Sequence, residues 1–282
     1  MNFLSPDRTK QLVALLVTAS CLNGCQEAPE EPQVALRLHY QVGDTLHYEY
    51  TANGTVTYPD SVTADKTTKT YERHLRVDEV ATDVTPSGNY LLAWTYHLPA
   101  EAGEVADSEP RDITINLEIS SQGRIIDVTN VETAKPVFGD MDFRTYLEQT
   151  QPVFPERALR IGDSWTQQVK VLSPEAEPVV TTSNYVLENL TEDDGEPIAV
   201  IAFDGNVYLP TAPEKGEGSG AVSSEERIRV RGRMYFAHER GQTVRVETNA
   251  EAQLTRVAVE GGSMERRSLE IEQQSSLQLI EP

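Results

Sequence analysis

The sequence predicts a mainly β protein, built of internally duplicated antiparallel sheets with one short helix between the halves. Three observations carry this reading. Apolar residues alternate with polar ones over long stretches, β-branched and aromatic residues concentrate in those stretches, and three segments recur in the same order along the 282-residue chain.

Tyr90, Leu92, Trp94, Tyr96 and Leu98 fall on one face of a predicted strand, and Ile113, Ile115, Leu117 and Ile119 on one face of the next. Ser121-Gln122-Gly123 and Asp193-Asp194-Gly195 have the chemistry of tight turns, so the strands join as hairpins. The recurrences link the halves. Val42-Gly43-Asp44-Thr45-Leu46 returns as Ile161-Gly162-Asp163-Ser164-Trp165, and the run from Tyr90 through Leu98-Pro99 returns from Ala199 through Leu209-Pro210. The run from Ile113, with Gly123 after it, returns from Ile228, with Gly241 after it. Asp140 or Asp142 can cap a helical turn that carries Phe143, Tyr146 and Leu147 on one side and ends before Pro152. Lys215 to Ala221, rich in glycine, reads as a flexible loop between strands. These elements divide the chain into a leader (1–24), a tether (25–33), a first β repeat with the helix at its end (34–150) and a second β repeat (151–282). The repeats form either two packed lobes or one large curved sheet, a half-barrel.

At the start of the chain Arg8 and Lys10 precede a short apolar run, Leu12 to Ala19, and then Leu22-Asn23-Gly24-Cys25. The run is shorter than the roughly 20 apolar residues needed to span a bilayer. This arrangement resembles the signal peptides of bacterial lipoproteins. The resemblance implies cleavage before Cys25, acylation of Cys25 by palmitate or a similar chain, and a lipid anchor in the cell envelope. Gln26, where an aspartate would favour retention at the inner membrane, implies the periplasmic face of the outer membrane. Glu27 to Gln33, rich in proline and glutamate, is then the spacer that holds the folded part away from the bilayer.

Phe154-Pro155-Glu156 followed by Leu159-Arg160-Ile161-Gly162-Asp163-Ser164-Trp165 is similar to a motif of an uncharacterised family of β-rich bacterial envelope lipoproteins, in which Phe-Pro leads into a Gly-Asp-Ser/Thr-Trp strand opening. The resemblance implies a related β architecture and brings no activity with it.

Composition narrows the function. The net charge of −21 opposes binding to nucleic acid, and removal of a leader with Arg8 and Lys10 against Asp7 makes it one unit more negative. Cys21 lies in the leader and Cys25 is consumed by acylation, so no disulfide is expected and the fold must rest on its own core. The five histidines, His39, His47, His74, His97 and His238, form no metal-binding spacing, and no nucleophile elbow or phosphate loop is present. We therefore expect no enzyme, no metal and no cofactor. Asp44 and Asp163, each after a turn glycine, read as turn-closing residues rather than as an acid–base pair.

Arg227, Arg229, Arg231 and Arg233 alternate with Ile228, Val230, Met234 and Phe236, which places four guanidinium groups on one strand face. This is the candidate contact stripe for an anionic partner, the structural alternative being ion pairs to glutamates such as Glu247 on the adjacent strand. The leading expectation is a non-enzymatic binding or scaffold role, with an envelope protein or a lipid as partner. The alternative is lipid binding or transport on a concave sheet lined by Tyr90, Trp94, Tyr96, Phe203 and Trp165.

Overall fold

The structure is a computed structural model and describes residues 32–59, 66–99, 111–134, 142–172, 177–214, 222–260 and 263–280. The leader, Cys25, nearly all of the tether and the Lys215–Ala221 loop lie outside the described residues. The elements run β1 (Thr45–Pro59), β2 (Lys66–Val84), β3 (Tyr90–Leu98), β4 (Arg111–Ile119), β5 (Ile125–Thr129), helix α1 (Phe143–Thr150), β6 (Ser164–Val171), β7 (Val179–Asp193), β8 (Glu196–Glu214), β9 (Val222–Ala237), β10 (Gln242–Glu260) and β11 (Ser263–Ile280). All eleven strands form one open antiparallel sheet in the order β5-β4-β3-β2-β1-β11-β10-β9-β8-β7-β6. The repeats are therefore two wings of one sheet, with β1 and β11 joining them at the middle and β5 and β6 at the edges. Among the described residues no helix is long and apolar enough to cross a membrane.

Both wings repeat one layout of turns and bulges. Gly43, at φ 96°, donates its N–H to Ala81 O while Asp44 exchanges the return bond with Ala81; Gly162, at φ 89°, and Asp163 make the same pair of bonds with Leu187. Positive φ at both sites is the reason for glycine there. Each aspartate closes its own turn, Asp44 accepting from Gln41 N–H at 2.7 Å and Asp163 from Arg160 N–H at 3.1 Å. Bulges follow at matching places: in β2 past Ala81, in β7 past Leu187, in β5 past Ile125 and in β10 past Thr243. The first recurrence is thus placed on equivalent strand openings. The second recurrence and the strand half of the third fall on the expected strands but two residues out of register, whereas Gly123 and Gly241, both at positive φ, are equivalent, each two residues before the position (Ile125, Thr243) that pairs with Ile119 or Phe236. Through the bulges Trp94 matches Phe203, so Leu98-Pro99 and Leu209-Pro210 are not equivalent; likewise Ile113 matches Val230 and not Ile228. A two-residue slip keeps every side chain on its own face, and an alternating pattern cannot detect it.

The buried core lies against one face of the sheet, here called inner, towards the end that carries these turns. Val34, Leu36, Leu38 and Tyr40 all enter it from a strap that precedes β1. The strap is fixed by backbone bonds between Val34 and Leu159, from Leu38 N–H to Ser121 O, and from His39 N–H to Gly241 O. Asp142 caps α1, accepting from Thr145 N–H at 3.1 Å, and Phe143 and Leu147 turn into the core. β7 pairs with β8 only as far as Ser183 and Gly205, whereas β8 and β9 continue together. At the free edge so created, the Gln149 carboxamide donates to Tyr208 O at 3.1 Å and accepts from Tyr208 N–H at 2.8 Å, which satisfies the backbone as a neighbouring strand would. All the residues of this core, from Val34 to Phe236, belong to the compact unit Gln33–Pro282, which carries its core complete.

Candidate functional site: a groove on the inner face

Beyond the core, the far halves of β1, β2 and β8 to β11 continue with their inner face only partly covered. In-register rows cross it. One row runs Phe203, Gly232, Thr248, Ser275, Ala52; the next runs Gly205, Val230, Ala250, Gln273, Gly54; a third runs Val207, Ile228, Ala252, Ile271, Val56. Small side chains dominate the first two and aliphatic ones the third. A cavity of about 610 Å³ lies at the third row; its lining takes the outward residues on either side of that row, among them Asn206, Tyr208, Arg227, Arg229, Glu251 and Glu272, with Val179 to Thr182 at the start of β7, and none of the inner-face rows beside it. That volume lies in the range of small-molecule sites, roughly 300 to 1,000 Å³. It opens where β7 has parted from β8.

Polar groups gather where the rows reach β1 and β2. Tyr71 lies across Gly54, where a Cβ would come within 2.6 Å of its hydroxyl, and so reaches β11. Its hydroxyl donates to Gln273 Oε1 at 2.8 Å, and Gln273 Nε2 donates to the Tyr50 hydroxyl at 3.0 Å. The Arg73 guanidinium lies 5.8 Å from the Tyr71 ring centre and the Lys69 ammonium 5.7 Å from that of Tyr58. At the opposite side Glu226, on the inner face of β9, has its pKa raised by burial.

The arginine stripe is on the other, outward face. Arg229 meets Asp204 at 2.9 Å, Arg231 meets Glu251 at 3.2 Å and Arg233 meets Glu188 at 2.7 Å, while Arg227 lies over the Tyr208 ring. The alternation is as expected, and the acids come from β8 (Asp204), from β10 (Glu251) and, across β8, from β7 (Glu188). Glu247, the partner named from sequence, instead takes Arg245 and the Tyr235 hydroxyl. The five aromatic residues assigned to a ligand surface also have another place: Tyr90, Trp94, Tyr96, Phe203 and Trp165 all pack against the core cluster. Their spacing gives the inner face correctly, but that end of it is filled by the strap and α1.

Two polar clusters have no sequence signal. On the outward face Asp78 receives Arg76 Nε at 2.7 Å and lies 2.7 Å from His47 Nδ1 and 2.9 Å from His97 Nε2, with Asp112 2.8 Å from His97 Nδ1. Partial burial works to raise the Asp78 pKa, but the bonds from Arg76, His47 and His97 prevail and hold it well below the usual carboxylate range. Desolvation works to lower that of His97, and its two aspartates reverse this to a net rise. These residues are far apart in sequence and meet only through strand register. Among the described residues no group of three or more His, Cys, Asp or Glu side chains could hold a metal ion.

The second cluster is in the core. Glu79, 6% exposed, stands on the inner face of β2 between Leu46 and Trp94. Burial pushes its pKa up to about 7; the Tyr40 hydroxyl and Trp94 indole N–H approach it and limit the rise. Neither Glu79 Oε1 nor Trp94 Nε1 closes a hydrogen bond of good geometry. The matching position in the second wing is Tyr185, stacked on Trp165 at 5.2 Å and tilted against Phe203 at 6.4 Å.

No protein-family model matches the chain, and no curated protein matches its sequence. Among solved structures it is similar to the crystal structure of a Bacteroides fragilis protein with a YmcC-like fold, predicted to be exported. The identity is 11%, the match covers 87% of this chain and 97% of that one, and the TM-score is 0.19.

Proposed function

We propose that this chain is a lipid-anchored, non-enzymatic binding protein of the bacterial cell envelope that holds an apolar ligand in the groove on the inner face of its sheet. The leader and Cys25 support the anchor. The observation that carries the binding role is the band of small and aliphatic inner-face side chains, Ile228, Val230, Ala250, Ala252 and Ile271, that the core leaves only half-buried. Side chains of a close-packed interior leave few voids larger than a water molecule. A row of small and aliphatic side chains left unfilled across five strands is a surface made for an apolar guest. Lipid binding therefore stands ahead of a pure scaffold role, for which a filled inner face would be expected.

The test is a titration of the protein lacking residues 1–25, which keeps the core-bearing unit Gln33–Pro282, with a fluorescent acyl probe. The wild-type groove should bind it, and Ala252→Trp, which fills the floor, should abolish binding while leaving the circular dichroism spectrum unchanged. Equal binding by the filled variant would remove the groove as the site.

A further inference from the structure

We propose that the surface from which the tether leaves the folded unit lies against a phospholipid bilayer with anionic head groups, held there by four arginines and by the exposed Ile161. This rests on Cys25 carrying the anchor and is independent of the groove. Gln33 follows Cys25 by only eight positions, and a chain that long reaches at most about 28 Å. Backbone bonds fix what surrounds Gln33. Val34 and Leu159 exchange bonds in both directions, Leu38 N–H donates to Ser121 O, and Phe154 N–H donates to Gln122 O. Residues 33–41, 120–124 and 154–163 are thereby joined into one surface, and the Arg37 guanidinium, which donates to Glu156 O at 3.4 Å, links the first of these segments to the last.

Charge selects the occupant of this surface. Its three segments hold Arg37, Arg124, Arg157 and Arg160 against Glu156 and Asp163, a formal excess of positive charge in a chain whose net charge is −21. All four arginines are exposed. Basic side chains beside a lipid anchor are drawn to anionic head groups, and that attraction fades within a Debye length, so the surface nearest the anchor decides the contact. Ile161 is 50% exposed at the turn that opens β6, next to Arg160, where an aliphatic side chain can leave water for the head-group region. Glu192, Asp193 and Asp194, at the end of the β7–β8 hairpin, are repelled by the same head groups, which makes the contact one-sided. The strap is bonded to Gly241, and Ala252 lies about 35 Å along β10 from there, so the inner-face band is held towards the aqueous side, open to a ligand that arrives through water.

The test is fluorescence quenching of the acylated full-length protein, purified from bacteria and placed in vesicles of phosphatidylethanolamine and phosphatidylglycerol that carry a head-group quencher. Single cysteines introduced as Ile161→Cys, Glu192→Cys and Thr57→Cys take the fluorophore, since Cys25 is acylated and Cys21 leaves with the leader. The Ile161 label should lose about half of its emission or more, and the Thr57 label almost none, because Thr57 lies about 40 Å along β1 from the turn at Asp44. The Glu192 label should also stay bright. Arg37→Gln/Arg124→Gln/Arg160→Gln, added salt, or vesicles of phosphatidylcholine alone should each cut the quenching at Ile161 by about twofold or more. Equal quenching at Ile161 and at either control position, or quenching at Ile161 that ignores both lipid charge and the triple substitution, would overturn the proposal. Quenching at no position, with the protein still held on the vesicles, would overturn it too and leave the surface to a protein partner. A chain that carries no acyl group and stays off the vesicles would defeat the anchor reading instead.

Discussion

The two wings of the sheet open with the same turns and bend at the same bulges, yet they differ in length. β3, β4 and β5 have 9, 9 and 5 residues, whereas their counterparts β8, β9 and β10 have 19, 16 and 19. What the wings share makes the core. What the second wing adds makes most of the groove, whose rows cross β8, β9 and β10 before reaching β11 and β1. A layout that satisfies folding at one end can thus be extended at the other, because each added pair of residues brings its own ladder bonds and alternates its faces without disturbing the packed part.

The comparison can be broken most forcefully in the core. Ile119 and Phe236 occupy matching positions and are 1% and 0% exposed. Phe236→Ala should cost about 3 to 5 kcal/mol and Ile119→Ala about 2 to 5. Both should lower a single cooperative transition in chemical denaturation, since one core cluster holds both wings. Two separate transitions, each sensitive to one substitution, would make the wings independent units.

The next effect sharpens the one core position where the wings disagree in chemistry. Glu79 has a folded pKa of about 7 against an ordinary 4.5, so the folded state binds the proton more strongly. The stability this group contributes should be full below pH 4.5 and be lost as pH rises through 7, by about 3 kcal/mol in all. Glu79→Gln should flatten that dependence, whereas Tyr185→Phe at the matching site should not change it between pH 5 and 8. Urea midpoints across that range decide the matter. A stability that falls equally in Glu79→Gln would place the titrating group elsewhere.

Smaller effects test the shared turns. Gly43→Ala and Gly162→Ala should each cost about 1 to 2 kcal/mol, by backbone strain alone, since a Cβ at either site meets nothing within 4 Å. Unequal costs would show that the two openings are not equivalent. Least of all, Asp44→Asn and Asp163→Asn should scarcely move the denaturation midpoint, because the amide oxygen still accepts the turn N–H. A clear loss confined to Asp163 would assign its role to the ion pair with Arg157.

Most of the fold is legible in the chain's own residue pattern. Alternation at Ile113 to Ile119 places a strand with one buried face, and Asp142 with Phe143, Tyr146 and Leu147 places the helix within a residue or two. The recurring Gly-Asp openings mark two copies of one layout. The strap is harder to read: Val34, Leu36, Leu38 and Tyr40 alternate as a strand would, but only one isolated bridge, to Leu159, pairs them. The groove is hidden for a different reason. Ala52, Gly54, Ala252 and Ile271 carry no reactive group, and a binding surface made from what is absent has no motif.

Sequence by itself determined which residues face each way along every strand, where the turns fall, and which face of β9 carries its arginines, because these depend on neighbours one to four positions away. Tertiary structure alone decided that two wings close into one sheet through β1 and β11, that β7 parts from β8, and that Lys69 stands at the end of a row begun on β8. Those relations join residues far apart in the chain through strand register, and an alternating pattern leaves register free to slip by two.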